Sequence, residues 1–243
     1  MTGRENTKVP DTITDTGKQL LTLLQICDSS FPTGGFSQSY GLETYVQEGL
    51  IEDGEIFKKL LTVFINDVLC SGDGLAAALS WQAAKEKDFT ALREIDSILS
   101  AMKLAVESRE GSAKTGRRMS RTAAPLLEDT FFREFMELVS NGHLDGHHAV
   151  TFGVLGRRAG LTLDQTVQGY LYNAAAAMVN IGVRLIPLGQ QEGQGILRAL
   201  SPVIIKAASE IPSKTLEDMG SAAFAWEIRA MRHERLYTRL FMS

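Results

Sequence analysis

Residues 28–43, DSSFPTGGFSQSYGLE, separate two runs of helical periodicity and decide how the chain folds back on itself. Before this stretch, Leu20, Leu21, Leu23, Leu24 and Ile26 mark an apolar helix, which Ser30, Pro32, Gly34 and Gly35 then stop. Pro32 lacks an N–H and fixes its φ, and the glycines can take positive φ without a Cβ clash, so a tight reversal is expected. The reading is a helix–turn–helix corner with Phe31 and Phe36 buried. Ser37 or Ser39 is expected to accept N–H groups of the following helix, which carries Leu42, Tyr45 and Val46.

Outward from the corner, every segment with a clear period reads as helix. Asp53 is a good N-cap for a helix whose expected inner face is Ile56, Leu60, Val63, Phe64 and Val68, closed by Gly72 and Gly74. From Asp73 an alanine-rich helix with Trp81 as its bulky contact is expected, and Leu92, Ile95, Leu99, Met102 and Val106 give the next amphipathic face. Pro125 marks a break before the stripe Leu127, Phe131, Phe132, Phe135, Leu138 and Val139, which Asn141 and Gly142 close. Thr162 and Gln165 form a capping box that opens the longest apolar helix, ending at Pro187 and Gly189 and expected to be buried on nearly all sides. A glutamine-rich link, a helix starting at Ser201 with Pro202 in its first turn and ending at Pro212, and a last helix through Ala222, Ala223, Trp226, Ile228 and Met231 complete the chain. No alternating runs indicate strands, so the fold class is all-α, a single-domain helical bundle of about ten helices. Residues 1–16 read as a flexible polar arm, 17–232 as the helical domain and 233–243 as a separate docking tail.

Composition removes several functions. With 243 residues, 44% hydrophobic and 22% charged, the chain can bury a sizeable core. Its net charge is -4 and no basic run is long, which excludes a phosphate-backbone footprint and makes nucleic acid an unexpected partner. Cys27 and Cys70 lie in apolar helical contexts, as buried thiols of a reducing compartment do, so a cytoplasmic location is expected. No stretch approaches the roughly 18 apolar residues of a membrane span.

Three stretches invite chemistry. Gly111 and Gly116 enclose four residues as in a phosphate-binding loop, but Arg117 and Arg118 follow where Lys and Ser or Thr are needed, and no strand precedes. The segment GHLDGHH brings His143, His147 and His148 close in sequence, and neutral imidazoles suit nickel or zinc, although glycines loosen the frame. The tail HERLYTRLFMS carries Leu236, Tyr237, Leu240, Phe241 and Met242, too apolar for a solvated end, with arginines that keep it soluble; it must dock on its own chain or on another protein. No G-x-S-x-G or cysteine–histidine signature appears, so no self-sufficient active site, catalytic residue or cofactor is expected.

Several separate stretches, in order, resemble the urease accessory protein UreF family: Asp28-Ser29, Phe31-Pro32, Gly34, Phe36, Ser39 and Gly41-Leu42-Glu43; Arg109 and Gly116; His148 through Gly153; IGVRLIPLGQQEGQ; and HERLYTRLFMS. The resemblance implies a non-enzymatic helical scaffold, a homodimer, that joins the accessory protein UreD (also called UreH) and recruits the GTPase UreG, so that nickel reaches apo-urease. It implies self-association through the helix carrying Tyr172, with Gln168 one turn before. Arg184, Pro187, Gly189, Gln190 and Glu43 are expected to face the GTPase. His233, Glu234, Leu236, Tyr237, Arg239, Leu240 and Phe241 are expected to order against UreD. The alternative reading is a stand-alone nickel-binding chaperone using His143, His147 and His148. Gly111 departs from the family pattern at a point where glycine weakens a helix.

Overall fold

A computed structural model describes residues 15–220 and 223–243. Eleven α-helices occupy them: α1 Asp15–Cys27, α2 Leu42–Gln47, α3 Gly54–Val63, α4 Asp73–Glu86, α5 Phe89–Met102, α6 Val106–Ala123, α7 Thr130–Ser140, α8 His148–Arg158, α9 Leu163–Leu185, α10 Gln190–Glu210 and α11 Phe224–His233. No strand occurs among the described residues. Residues 1–14 of the expected arm lie outside them, as does Ala222; Asp15 and Thr16 already belong to α1.

Helix ends follow local chemistry. Asp53, Asp88 and Asp129 each accept backbone N–H groups of the turn they open, and Thr162 and Gln165 close a complete capping box. Gly142, at φ 74, closes α7 with Asn141.

The centre is a seam of small residues. On α4, Gly74, Ala76, Ala77, Ala78 and Ser80 are buried, and α8 answers with Ala149, Gly153 and Gly156. A methyl group at Gly153 would stand 2.2 Å from the Ala77 carbonyl oxygen, so the two backbones approach too closely for any side chain there. Trp81 tethers α4 to the turn before α9 by donating Nε1–H to the Leu161 carbonyl at 3.0 Å. Around this seam α6 packs on α8, α5 on α4, and α9 on α4, while α10 and α1 lie along α9. α6 runs unbroken through Gly111, so the glycine pair forms no phosphate-binding loop, and Gly111, Ser112 and Gly116 are buried as packing positions.

Four expectations need correction. On α3 the buried residues are Phe57 and Leu61, whereas Ile56 and Val63 are 38% and 45% exposed. Phe57, Leu61 and Phe64 follow one α-helical face that leaves Ile56 and Val63 outside it, and the π-helical turn Phe64–Leu69 then carries burial on to Ile65 and Leu69. The face read through Val106 is split, because α5 ends at Met102 and Val106 opens α6, 46% exposed. The expected glutamine-rich link is the start of α10, which passes through Pro202. An interior proline costs about 3 kcal/mol, but Pro202 faces outward while Ile196, Leu197, Leu200, Ile204, Ala207 and Ala208 are buried on the same helix, and their burial outweighs the lost hydrogen bond. On α11 the inner residues are Trp226, Ala230 and His233; Ile228 and Met231 are exposed.

α9 is likewise less enclosed than its composition implies. Ten of its residues are buried, but Gln168, Tyr172, Asn180 and Arg184 are exposed, with Gln168 and Tyr172 one turn apart on one face. No single helix among the described residues is long and apolar enough to cross a membrane.

Candidate functional site

The corner makes its turn with left-handed backbone at Gly34 (φ 76), Tyr40 (φ 49) and Gly41 (φ 91). Gly41 has no freedom to be anything larger: its Cβ would stand 2.8 Å from the Ala230 amide nitrogen of α11. Phe31 is buried as expected, but Phe36 is 72% exposed. Neither serine caps α2, whose N-cap is Gly41 with no side-chain bond. Instead the Ser39 N–H donates to the Ser243 backbone oxygen at 2.7 Å, the Ser39 hydroxyl donates to the same oxygen, and Met242 N–H donates to the Ser37 carbonyl at 2.8 Å. The corner is therefore a receptor for the tail.

Glu43 anchors the other side of that contact. Expected on a partner-facing surface, it is 2% exposed and accepts the backbone N–H groups of Leu240 at 2.7 Å (Oε1) and Phe241 at 3.1 Å (Oε2). His233 lies between it and Glu107, with Nε2 3.0 Å from Glu43 Oε2 and Nδ1 2.6 Å from Glu107 Oε2. Arg239 donates to Glu107 Oε1 at 2.7 Å, and Gln47 donates to the Thr238 carbonyl at 2.8 Å. Phe241 is 5% exposed, its ring 4.8 Å from the Arg184 guanidinium. Helix α11, which delivers the tail, is held by Trp226 stacked on Phe64 at 4.6 Å and by Arg229 and Arg232 on Glu48.

The outer side of the docked tail stays apolar and open: Tyr237, Leu240 and Met242 are exposed, as are Phe224, Ile228 and Met231 on α11. Glu234 is exposed and Leu236 half-buried. Pro187 and Gly189 lie exposed in the link from α9 to α10, as does Gln190 at the start of α10, and Arg184 near the end of α9 reaches the tail through Phe241. On α9, Gln168 and Tyr172 share an open face, and α1, packed on α9, exposes Leu20, Leu21 and Leu24.

The three histidines do not converge. His143 is exposed; His147 is buried with Nε2 2.7 Å from the Ser100 hydroxyl; His148 packs its ring on Phe152 and Tyr170. Among the described residues no three His, Cys, Asp or Glu side chains are placed to hold a metal. Burial pushes both His147 and His148 down to about 4, so both are neutral near pH 7. Asp96 shapes this loop by accepting the backbone N–H groups of Asp145, Gly146 and His147, and burial pushes its carboxyl up.

His148 also borders a cavity of about 200 Å³ beneath the corner, with Asp73, Lys103, Ser112 and Tyr170 among its walls. Burial opposes the charge on Asp73, and the Lys103 ammonium at 2.7 Å outweighs it, so the carboxyl sits below its usual range. Burial pushes the nearby Cys27 thiol up to about 12, which leaves it an unreactive thiol donating to the Gly169 carbonyl.

Composition marks the tail as apolar, but nothing in residue order marks Glu107 and Ser39 as its receptors, or Glu48 as the receptor of Arg229 and Arg232 on α11. Their partners lie about 130 to 200 residues away along the chain, and no local spacing signals such pairs.

The UreF family model matches residues 51–201. A protein of Bacillus sp. (strain TB-90) named urease accessory protein UreF is 39% identical over 225 residues, covering 93% of this chain and 99% of that protein. Relatives of the same name from Lachnoclostridium phytofermentans and Geobacillus kaustophilus are each 38% identical, over 92% and 94% of this chain.

Proposed function

This chain belongs to the UreF family of urease accessory proteins, and we propose that it acts as a non-enzymatic scaffold joining UreD/UreH and the GTPase UreG during nickel insertion into apo-urease. The observation that carries this reading is the tail. A segment held to its own domain by backbone hydrogen bonds and one buried ring, with Tyr237, Leu240 and Met242 facing out, has the composition of an interface hot spot before its partner arrives. UreD/UreH takes this apolar outer side together with the α11 face. The GTPase takes the neighbouring link with Arg184, Pro187, Gly189 and Gln190, so the two partners meet where Phe241 touches Arg184. The open α9 edge with Tyr172 and Gln168, flanked by the exposed leucines of α1, serves self-association into a homodimer. Nickel is cargo passed within this assembly, and nucleotide chemistry belongs to the GTPase.

Size-exclusion chromatography with light scattering tests the reading. The chain alone is expected as a dimer that forms a larger complex with UreD/UreH and then captures nickel- and nucleotide-loaded UreG. Removal of residues 236–243 is expected to abolish the first step; unchanged complex formation would refute the role of the tail.

A further inference from the structure

The cavity beneath the corner takes no part in docking the tail, yet its walls have the make-up of a binding site. At about 200 Å³ it lies below the roughly 300 to 1,000 Å³ of drug-sized sites, so it suits a small molecule. Phe36, 72% exposed, and the exposed Arg184 stand among its walls, so it opens to solvent between the corner and α9. One stretch of wall is apolar, with Phe31, Met178 and Ile181; another is polar, with Asp73, Lys103, His148 and Tyr170.

In the polar stretch the charges cancel while hydrogen-bonding capacity is left over. Lys103 Nζ lies 2.7 Å from Asp73 Oδ2, Tyr170 reaches the same carboxylate, and burial keeps His148 neutral. An ammonium carries three N–H groups and a carboxylate about four lone-pair positions, so this ion pair does not exhaust either group. Neither ring nitrogen of His148 has a hydrogen-bond partner among the described residues, and the buried hydroxyl of Ser112, also in the wall, has none. A buried polar group left so costs about 1 to 3 kcal/mol. The backbone at the edge is strained as well. Tyr40, another wall residue, is held at φ 49, which costs about 1 to 2 kcal/mol for a residue with a Cβ. Strain of this kind collects where a ligand is clamped.

These walls select among ligands by charge. An ion entering would shed its hydration for a chamber whose own charges are already matched, whereas an uncharged amide loses far less. The amide N–H groups and carbonyl complement the spare capacity of Asp73 and Lys103, and an apolar body complements Phe31, Met178 and Ile181. We propose that this cavity is a binding site for a small uncharged carboxamide with a short apolar body, its polar head held by Asp73, Lys103 and His148. Binding there does not depend on the scaffold reading above.

The test uses the full chain without partners and three compounds of one shape, isobutyramide, isobutyrate and isobutylammonium, titrated near pH 7 by ligand-observed saturation-transfer NMR. Isobutyramide is expected to bind at least about tenfold more tightly than either ion. Tyr170→Phe, which removes a wall hydroxyl, should weaken it roughly threefold to tenfold. Ala177→Met, which fills the cavity from α9, should abolish binding. With ¹⁵N-labelled histidine, isobutyramide should shift the ring signals of His148 and leave those of the exposed His143 in place. Absence of saturable isobutyramide binding would overturn the proposal, as would equal or tighter binding of either ion, or undiminished binding to Ala177→Met. Where Ala177→Met does not fold, the histidine spectra of the unsubstituted chain locate the site, and binding that leaves His148 unmoved overturns the proposal. No readout involves UreD/UreH or UreG, so this site and the scaffold reading can fail separately.

Discussion

The seam between α4 and α8 and the contact between tail and corner both bury residues from distant parts of the chain, yet opposite forces hold them. The seam consists of glycine, alanine and serine packed backbone to backbone, and no charge takes part in the contact at Gly153. Close packing of this kind forms or fails as a unit. The tail is held by two amides on Glu43, an imidazole between two carboxylates, Arg239 on Glu107 and one buried ring. Each of these bonds contributes on the order of 1 kcal/mol, and several involve charge, so the contact can loosen while the core stays folded. The proposed docking role needs both kinds of contact, a core that keeps its shape and a segment that can be offered to a partner.

The largest expected effect breaks the seam. Gly153→Leu drives a side chain into the Ala77 carbonyl and Ser80, where helix backbones cannot yield, and a loss of about 3 kcal/mol or more in chemical denaturation is expected. Near-wild-type stability would mean that the seam is not close-packed.

Acid should weaken the core before it touches the ion pairs. His147 and His148 are held neutral, with folded values pushed down to about 4 from 6.5, so the unfolded chain binds more protons between those limits. Stability should therefore fall as pH drops from 6.5 toward 4, by roughly 2 to 3 kcal/mol for the fully buried His147. His147→Gln should flatten that slope; an unchanged slope would place the acid sensitivity elsewhere.

Phe241→Ala sharpens the other side of the comparison. It removes the buried ring and its contact with Arg184, so trypsin should cut after Arg239 faster than in the intact chain while the denaturation midpoint of the core shifts little. The smallest effect on stability is expected at the α9 edge. Tyr172→Glu, at a 47% exposed position, should change stability by less than about 0.5 kcal/mol and yet, with self-association through this face as proposed, leave only monomer in light scattering.

What could be read from residue order divides along the same line. The capping residues Asp53, Thr162 and Gln165, the Asn141-Gly142 stop and the alanine-rich α4 were legible because their causes lie within one or two helical turns. The buried face of α3 is not legible because apolar residues lie on two adjacent α-helical faces, Ile56, Leu60 and Val63 beside Phe57, Leu61 and Phe64, and local periodicity does not choose between them. Continuity of α10 through Pro202 depends on burial against neighbouring helices, which outweighs local propensity. At the site, the stickiness of the tail was visible in its composition. That Glu43 is its receptor was not, because a buried glutamate and a solvated one look alike until residues 190 positions away return to it.

Charge and hydrogen bonds on Glu43 hold the tail, separately from the core. The most direct test is amide hydrogen exchange across the intact chain and its Glu43→Gln variant. Protection at Leu240 and Phe241 is expected to collapse in the variant while protection in α4 and α8 is retained. Equal loss in both regions would show that tail and core are one cooperative unit, and retained protection in the tail would show that Glu43 does not hold it; either result contradicts the account.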